Sequence, residues 1–329
     1  MRKALSVLLI IVLLSLTSCG IGSKENKNDR SADNYDELIV VGFSQVGAES
    51  DWRTANTISM QTALSEANGY KLIFDDAQQK LERQITAIRN FIQQEVDYIV
   101  LAPTTETGWD TVLQEAKAAN IPVIIVDRMI KVSDDNLFTC WVGSDFHKEG
   151  DTAAAWLEHK FGKDVPVNIL HLQGNIGSTA QIGRTQGLDA GVKANENWTL
   201  LARESGEFIQ AKGQEVMEDF LKRYDDFNMV YVENDNMAYG VIDALEAAGL
   251  RAGIDVVLIS FDANRKALEM TLAGKINYNV ECNPLHGPRV QYIIEQLEAG
   301  QIPQKFTYVE ETAFDAQTIT QAMIDAREY

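Results

Sequence analysis

Short apolar runs alternate with amphipathic stretches along most of the chain. Residues 38–43 are continuously apolar, a pattern typical of a strand that is buried on both faces. Residues 80–94 place Ile85, Ile88 and Ile92 on one face of a helix. Read in this way, the sequence predicts strands at 38–43, 70–74, 98–103, 122–126, 138–142, 166–172, 198–203, 228–232, 255–261 and 277–281. The predicted helices are at 52–68, 80–94, 108–119, 147–161, 178–194, 210–223, 237–248, 264–273, 285–299 and 316–327.

The regular alternation of strands and helices indicates the fold class. Strand–helix–strand units with right-handed crossovers form parallel sheets that helices cover on both faces. The predicted strands are too many for one comfortable sheet. We therefore predict an α/β protein of two Rossmann-like lobes, each built on a parallel sheet.

The amino-terminal residues predict export and a lipid anchor. Arg2 and Lys3 precede an apolar run at 4–16, which is shorter than the about 20 residues needed to span a bilayer. The run ends in Leu-Thr-Ser before Cys19, which resembles a bacterial lipobox. We therefore predict a signal peptide at 1–18 and a lipid on Cys19. The alternative is an ordinary secreted protein with a chance cysteine near its cleavage site.

A flexible tether is predicted at 19–37, because residues 24–36 are polar and have no periodic apolar positions. The formal net charge of the chain is −19, which disfavours nucleic-acid binding and electrostatic adsorption to anionic lipid. The membrane link is therefore expected through the lipid alone. The folded part is expected outside the cytoplasm, in the periplasm or at the outer face of the cell membrane.

The sequence offers little for catalysis. Its four histidines are scattered outside any zinc-binding spacing, and no Gly-x-Ser-x-Gly motif is present. Asp75 with Asp76, or Asp127 with Asp262, is a conceivable glycosidase pair, but Arg128 would hold Asp127 ionised rather than leave it as an acid. We expect no enzymatic activity, no cofactor and no metal. Cys140 and Cys282 are expected as buried free thiols, with a disulfide between them as the alternative.

Polar residues stand at the ends of several predicted strands. In open α/β sheets, ligands bind beside the carboxyl ends of the strands. A single polar residue at a strand end is a weak signal, because strand ends are solvated in any case. A fold without a ligand site does not require so many of them. The residues in these positions are Ser44-Gln45, Asp75-Asp76, Asp127-Arg128, Gln173, Glu233-Asn234-Asp235 and Asp262.

Asp127 and Arg128 form the sharpest pair among these strand ends. They directly follow an apolar strand, so they cannot both point into a core. A carboxylate accepts hydrogen bonds and a guanidinium donates them in a planar fork, so together they suit the vicinal hydroxyls of a sugar. The alternative is an exposed ion pair in a loop.

Residues 49–53 precede the first predicted helix and supply further candidates. Trp52 offers a flat apolar face to sugar C–H groups, and Arg53 is a further donor. Glu49, Ser50 and Asp51 are included as polar contacts. The alternatives are that Ser50 or Asp51 caps the helix and that Trp52 belongs to the core.

Four further candidates lie in the second half of the chain. Arg184 follows a glycine-rich loop that lacks the Gly-Lys-Ser/Thr ending of a phosphate-binding loop, so nucleotide binding is not expected. Asn234 and Asp262 would add an amide and a carboxylate, with helix capping as the alternative. Phe208 is either a second stacking wall or an apolar contact at the start of its helix.

Three segments, at 116–128, 172–174 and 234–240, resemble the ribose-type sugar-binding family of ABC importers, which has the type I periplasmic binding protein fold. The similarity extends over nearly all of 38–325, and residues 41–47 resemble its galactofuranose-binding members. The resemblance implies a monomeric receptor that captures a monosaccharide, galactofuranose or a related aldose, by lobe closure and delivers it to an ABC permease. A tethered sensor that presents the sugar to a membrane receptor or kinase is the alternative.

The resemblance also implies how the chain divides and which residues touch the sugar. The chain would pass between hinged lobes near Gly143, Cys282 and Thr312. The first lobe would comprise 38–143 plus 283–312, and the second 144–282 plus 313–329. The implied contacts are Trp52, Arg53, Asp127 and Arg128 from the first lobe and Arg184, Asn234 and Asp262 from the second, with Glu49, Ser50 and Asp51 contributing.

The chain departs from the family pattern at three positions near the expected pocket. Ala263 stands where the family usually has glycine, and Gly183 stands where the galactofuranose-binding members have aspartate. Cys282 takes a position that often bears an amide or an aliphatic side chain. These departures leave the sugar's identity less well specified than its class.

Overall fold

The computed structural model describes residues 38–162 and 164–329; the predicted signal peptide, the lipid on Cys19 and the tether lie outside the described residues. The strands are β1 Ile39–Gln45, β2 Tyr70–Asp76, β3 Tyr98–Leu101, β4 Val123–Val126, β5 Cys140–Gly143, β6 Val167–Gln173, β7 Trp198–Ser205, β8 Met229–Val232, β9 Val257–Asp262, β10 Tyr278–Glu281, β11 Phe306–Tyr308 and β12 Ala313–Asp315. The helices are α1 Asp51–Ala63, α2 Leu81–Gln93, α3 Asp110–Ala118, α4 Phe146–Phe161, α5 Thr179–Ala194, α6 Gln210–Arg223, α7 Asp235–Ala247, α8 Arg265–Leu272, α9 Gly287–Glu298 and α10 Gln321–Asp325.

The strands form two six-stranded sheets, which confirms the predicted α/β architecture of two lobes. The first sheet has the order β11-β5-β4-β3-β1-β2, and all its pairs are parallel. The second has the order β12-β10-β9-β8-β6-β7, in which only the β10–β12 pair is antiparallel. The carboxyl ends of the central strands therefore meet along one edge of each sheet.

The chain passes between the two sheets three times. It leaves the first sheet after β5, returns to it after β10, and crosses again between β11 and β12. The return carries α9 back onto α1 in the first lobe. These three crossings are the covalent connections between the lobes.

Helices cover both faces of each sheet. In the first lobe, Val41 and Phe43 of β1 pack with Met60 of α1 on one face, while Ile99 of β3 packs with Phe91 of α2 on the other. All five side chains are at most 2% exposed, so the apolar runs of these strands are buried on both sides as predicted.

Four parts of the secondary structure differ from the sequence prediction. The strands β11 and β12 were not predicted, because each is three residues long and none of their residues is fully buried. The first helix ends at Ala63 instead of continuing to 68, and a short 3₁₀ turn occupies Glu66–Asn68. The last helix is confined to α10, since a turn held by Asp315 precedes it.

Among the described residues, none of the helices is long and apolar enough to cross a bilayer.

Candidate functional site

A cavity lies between the two lobes, beside the carboxyl ends of β1, β4, β8 and β9. About 290 Å³ in and around it is free of protein atoms, a volume that includes space open to solvent. The predicted contact Asp51 lies outside it, with an exposed side chain and a backbone N–H that donates to Asn236 Oδ1 at 2.9 Å. The cavity is lined by the other predicted contacts, Glu49, Ser50, Trp52, Arg53, Asp127, Arg128, Arg184, Phe208, Asn234 and Asp262, and by Phe146, Ala180 and Cys282.

Arg53 is the centre of the polar network in the first lobe. Its Nη1 donates to Asp127 Oδ2 at 2.8 Å and to Gln45 Oε1 at 3.1 Å, and its Nε donates to Glu49 Oε1 at 3.2 Å. Burial acts to lower the pKa of Arg53, but the charges of Asp127 and Glu49 outweigh it and raise that pKa. Arg53 therefore stays charged and fixes both carboxylates in place.

Arg128 is less well satisfied than its neighbour. Its Nε lies 3.8 Å from Asp127 Oδ2, and its Nη1 makes a long bond of 3.4 Å to the carbonyl of Thr104. Burial, together with the nearby Arg53, lowers the pKa of Arg128 to about 10. The Nε of Arg128 and the Oε2 of Glu49 are buried and have no hydrogen-bond partner among the described residues. One donor and one acceptor are thus left available in the same cavity.

Three of the lining residues have unusual backbone conformations. Asp127, Phe208 and Asp262 have φ values of 64°, 62° and 104°, in the region that favours glycine. Ala263, which stands where the family pattern has glycine, also adopts a positive φ of 56°. Such strain is concentrated at functional sites, where the surrounding packing holds it in place.

Arg184 is the corresponding centre in the second lobe. Its Nε donates to Glu149 Oε2 at 2.7 Å, its Nη1 to the carbonyl of Glu233, and its Nη2 to Asp262 Oδ1 at 3.4 Å. The guanidinium lies over the Phe261 ring at 4.8 Å. Burial raises the pKa of Asp262, and Arg184 opposes that rise. Arg184 thus holds the cavity-lining carboxylate of Asp262 from behind.

Ser50 and Asn234 cap helices as well as lining the cavity. Ser50 Oγ accepts from the N–H of Arg53 at 3.2 Å, and Asn234 Oδ1 accepts from the N–H of Met237 at 3.0 Å. The amide nitrogen of Asn234 donates to the carbonyl of Phe208 at 3.1 Å. The capping alternative therefore holds for both residues, and their side chains position the neighbouring site residues.

Three aromatic residues line the cavity, Trp52 from the first lobe and Phe146 and Phe208 from the second. The Arg128 guanidinium lies 5.4 Å from the centre of the Phe208 ring, which itself packs directly on Gly174. A Cβ at position 174 would lie 1.9 Å from that ring, so glycine is needed for this close approach. Trp52 comes from the first lobe, and its Nε1 donates to the carbonyl of Cys282 at 2.6 Å.

Direct hydrogen bonds also join the lobes at the mouth of the cavity. Asn175 Nδ2 donates to Gln79 Oε1 at 2.6 Å, and the N–H of Met129 donates to Thr179 Oγ1 at 3.1 Å. The lobes are therefore in a closed arrangement.

Sequence reasoning missed Phe146, Ala180 and the buried Glu149 that holds Arg184. Apolar residues at the starts of α4 and α5 carry no signal that separates a cavity wall from ordinary core. Glu149 did carry a signal, because it is a charged residue that lies between Phe146 and Ala153 on the buried face of α4. Cys140 and Cys282 are both buried and free, so the disulfide alternative is wrong.

Two carboxyl groups near the crossings between the lobes have strongly raised pKa values. Burial raises the pKa of Glu149 to about 8 and that of Glu311 to about 7. Glu311 lies between β11 and β12, where its Oε1 accepts from Ser144 Oγ at 2.6 Å and from the N–H of Asn283 at 2.7 Å. The neutral form of Glu311 is thus favoured by the fold although the group is hydrogen-bonded.

Replacing Glu311 with glutamine is expected to flatten the pH dependence of stability. The fold raises the pKa of Glu311 from 4.5 to about 7. Between these two pH values the folded chain binds more protons than the unfolded chain, so the contribution of Glu311 to the free energy of unfolding falls as the pH rises. Glutamine keeps the acceptor oxygen but does not titrate. Relative to wild type, the free energy of unfolding of the variant should therefore rise by about 2–3 kcal/mol between about pH 5 and pH 8.

Urea denaturation at several pH values measures this difference. The matched control is Glu310→Gln, since Glu310 is the exposed neighbour of Glu311. This control makes the same change of charge as Glu311→Gln, but at an exposed position. A Glu311→Gln curve that stays parallel to wild type would show that Glu311 is already ionised in the folded protein.

Comparison with known proteins gives a consistent set of matches. A family model described as periplasmic binding protein domain matches residues 41–286. The galactofuranose-binding protein YtfQ of Escherichia coli (strain K12) is 38% identical over 281 residues, which is 84% of this chain and 87% of that protein.

Two solved structures show the same fold at similar identity. A Mycobacterium smegmatis protein in complex with β-D-fucofuranose aligns with a TM-score of 0.83 and 40% identity, over 88% of this chain and 93% of its own. The binding protein of the arabinose ABC transporter from Shewanella sp. ANA-3, bound to α- and β-L-arabinofuranose, aligns with a TM-score of 0.83 and 40% identity, over 88% of this chain and 95% of its own.

Proposed function

Because the chain belongs to the periplasmic binding protein family, we propose that it captures a monosaccharide in its furanose form and delivers it to an ABC permease. The family is one of solute-binding proteins and not of enzymes. The observation that carries the proposal is the pair of unpartnered buried atoms, Glu49 Oε2 and Arg128 Nε, in a cavity that also has aromatic walls. A sugar hydroxyl both donates and accepts, so it can satisfy an acceptor and a donor of this kind.

The names of the relatives support a five-membered sugar ring. The relatives described above bind galactofuranose, β-D-fucofuranose and L-arabinofuranose by their descriptions. These sugars differ in their substituents and share the furanose ring. We therefore infer specificity for the ring form, with a galactofuranose-like sugar or a related aldose as the ligand.

Closure of the lobes provides the mechanism of capture. Arg53 and Asp127 come from one lobe and Arg184 and Asp262 from the other, so a bound sugar loses its water when the lobes meet. A hydroxyl that finds no partner then costs about 1–3 kcal/mol, which discriminates between epimers and ring forms. The permease would select the closed form.

The lobes are proposed to comprise 38–143 plus 283–312 and 144–282 plus 313–329. The membership of β5 and β11 in one sheet, and of β10 and β12 in the other, supports these boundaries. Small-angle scattering with and without sugar tests the closure, and a radius of gyration that does not fall when sugar is added would contradict it.

Calorimetric titration tests the sugar assignment. L-arabinose, D-fucose, D-galactose and D-ribose are titrated into the protein, and NMR of the bound sugar identifies its ring form. We expect one site and a bound furanose. A bound pyranose would overturn the ring assignment, and no binding of any of these sugars would overturn the ligand class. Loss of sugar uptake in cells that lack the gene would support transport, whereas unchanged uptake with a lost transcriptional response would support sensing.

We also propose that a signal peptide at 1–18 is removed and that Cys19 carries the lipid that anchors the chain outside the cytoplasm. The support is the sequence pattern alone. Cys19→Ala should prevent incorporation of radiolabelled fatty acid and release the protein from washed membranes. A variant that still fractionates with membranes would contradict the anchor.

A further inference from the structure

Side chains from the crossings between the lobes meet in one buried cluster. Ser144 follows β5, Cys282 follows β10, and Glu311 lies between β11 and β12. Ser144 Oγ lies 2.6 Å from Glu311 Oε1 and 3.3 Å from Cys282 Sγ. Glu149 of α4 completes the group, since one potential ligand atom each from Glu149, Cys282 and Glu311 lies within 4.8 Å of the others.

Glu149 brings an unused oxygen to this cluster. Its Oε2 accepts from Arg184, while its Oε1 has no hydrogen-bond partner among residues 38–162 and 164–329. Both Glu149 and Cys282 are 3% exposed. A buried acceptor without a partner is costly, and it is satisfied when a ligand reaches it.

The charges of the cluster point to the kind of ligand. The ionised forms of Glu149, Cys282 and Glu311 would together carry three negative charges, and Arg184 offsets one of them. The other charged groups nearby are Asp262 and Glu281, both acidic, and Glu281 is already paired with Arg327. When all three groups are ionised, two negative charges are left without compensation, and a divalent cation would neutralise them.

We propose that Glu149, Cys282 and Glu311 bind a divalent transition-metal ion, with zinc as the best fit. A thiolate with carboxylate oxygens suits zinc, whereas calcium and magnesium take oxygen ligands. Three protein ligands leave a fourth tetrahedral position for water or for the neighbouring Ser144 hydroxyl. Sequence spacing cannot reveal such a site, because its ligands come from three distant parts of the chain.

The position of the site gives it a role beyond local stability. The ion would tie together two of the crossings and the start of the second lobe, so it would bias the lobes toward the arrangement in which the three ligands meet. Cys282 also lines the proposed sugar cavity. An effect of zinc on sugar affinity follows from that shared residue and rests on the proposed function, whereas the metal site itself does not.

Cobalt absorption provides the test. Co²⁺ is titrated into the reduced, metal-free, full-length protein at about pH 8 without sugar, and Zn²⁺ is then added as a competitor. We expect one equivalent of Co²⁺ with a near-ultraviolet thiolate-to-cobalt charge-transfer band, which Zn²⁺ removes. Cys282→Ser should abolish the band. The matched control Cys140→Ser should keep it, because Cys140 is the other buried free thiol and lies outside the cluster.

A second variant keeps the site testable if Cys282→Ser does not fold. Glu311→Gln keeps the bond from Ser144 and should weaken zinc binding by about tenfold or more, since even outer-shell changes at metal sites have effects of that size. Absence of the charge-transfer band, or its persistence in Cys282→Ser, would overturn the site. Sugar titration of the same wild-type sample shows separately whether the proposed function stands.

Discussion

Replacing Asp127 with asparagine is expected to weaken sugar binding by about 30-fold or more while the chain still folds. The carboxylate accepts from Arg53 at 2.8 Å and lies 3.8 Å from Arg128, and all three side chains are nearly inaccessible. Asparagine has the same shape but no charge, so it leaves two buried guanidinium groups with one carboxylate fewer. The carboxylate is proposed to accept from a sugar hydroxyl as well, and loss of such a hydrogen bond to a charged group costs about 2 kcal/mol, or about 30-fold in affinity.

Calorimetry against the best sugar measures this loss, and circular dichroism reports folding. The matched control is Glu115→Gln. It removes the negative partner of Arg89 in an ion pair that is exposed on the surface of the same lobe. An exposed pair contributes little, so the control should bind within about twofold of wild type. An Asp127→Asn protein with the affinity of the control would show that the network does not bind the ligand.

Replacing Trp52 with alanine is expected to reduce both stability and sugar affinity. The ring is 4% exposed, packs among apolar residues of the second lobe and lies edge-on to His286 at 5.9 Å. Loss of a buried tryptophan side chain lowers the free energy of unfolding by about 3–5 kcal/mol. Removal of a cavity wall should weaken sugar binding by at least about tenfold, equivalent to 1.4 kcal/mol.

Two further variants separate the causes of this effect. Trp52→Phe keeps an aromatic face but loses the hydrogen bond to the Cys282 carbonyl. The lost hydrogen bond should lower the free energy of unfolding by about 1 kcal/mol, and the smaller side chain should lower it further. Trp109→Ala is the matched control, because Trp109 is also buried and also donates to a backbone carbonyl, that of Thr105 at 2.9 Å, but lies away from the cavity. It should destabilise the chain without changing the sugar affinity of the folded fraction. Equal affinities for the two alanine variants would place Trp52 in the core alone.

The sequence predicted the architecture because buried parallel strands have a strong signal. Runs such as those of β1 and β4 are apolar on both faces, and few other elements have that pattern. The positions of Asp127 and Asp262 followed from the same logic, since the carboxyl ends of the strands converge in any sheet of this type. Among the strand-end residues, Asp127, Arg128, Asn234 and Asp262 line the cavity, whereas Asp75, Asp76 and Gln173 do not.

The sequence did not distinguish between neighbours with similar chemistry. Ser50 and Asp51 are both good capping residues, yet Ser50 makes the cap and lines the cavity while Asp51 begins the helix and faces outward. The orientation depends on where the helix starts, which sequence patterns fix only to within a few residues. Glu149 was missed for another reason, because its partner Arg184 lies on a different helix and the pairing exists only after α4 packs on α5.

The third crossing between the lobes also sets the order in which the molecule can be completed. One of the two edge strands of each sheet comes from residues 306–315, and the N–H of Trp141 donates to the carbonyl of Lys305 at 2.9 Å. Contacts so distant along the chain form late and slow the folding of the sheets. A chain that ends before residue 306 would leave β5 and β10 as unprotected edges, ready to pair with another molecule. Pairing of residues 306–315 with β5 and β10 is therefore the step that protects these two strands from aggregation.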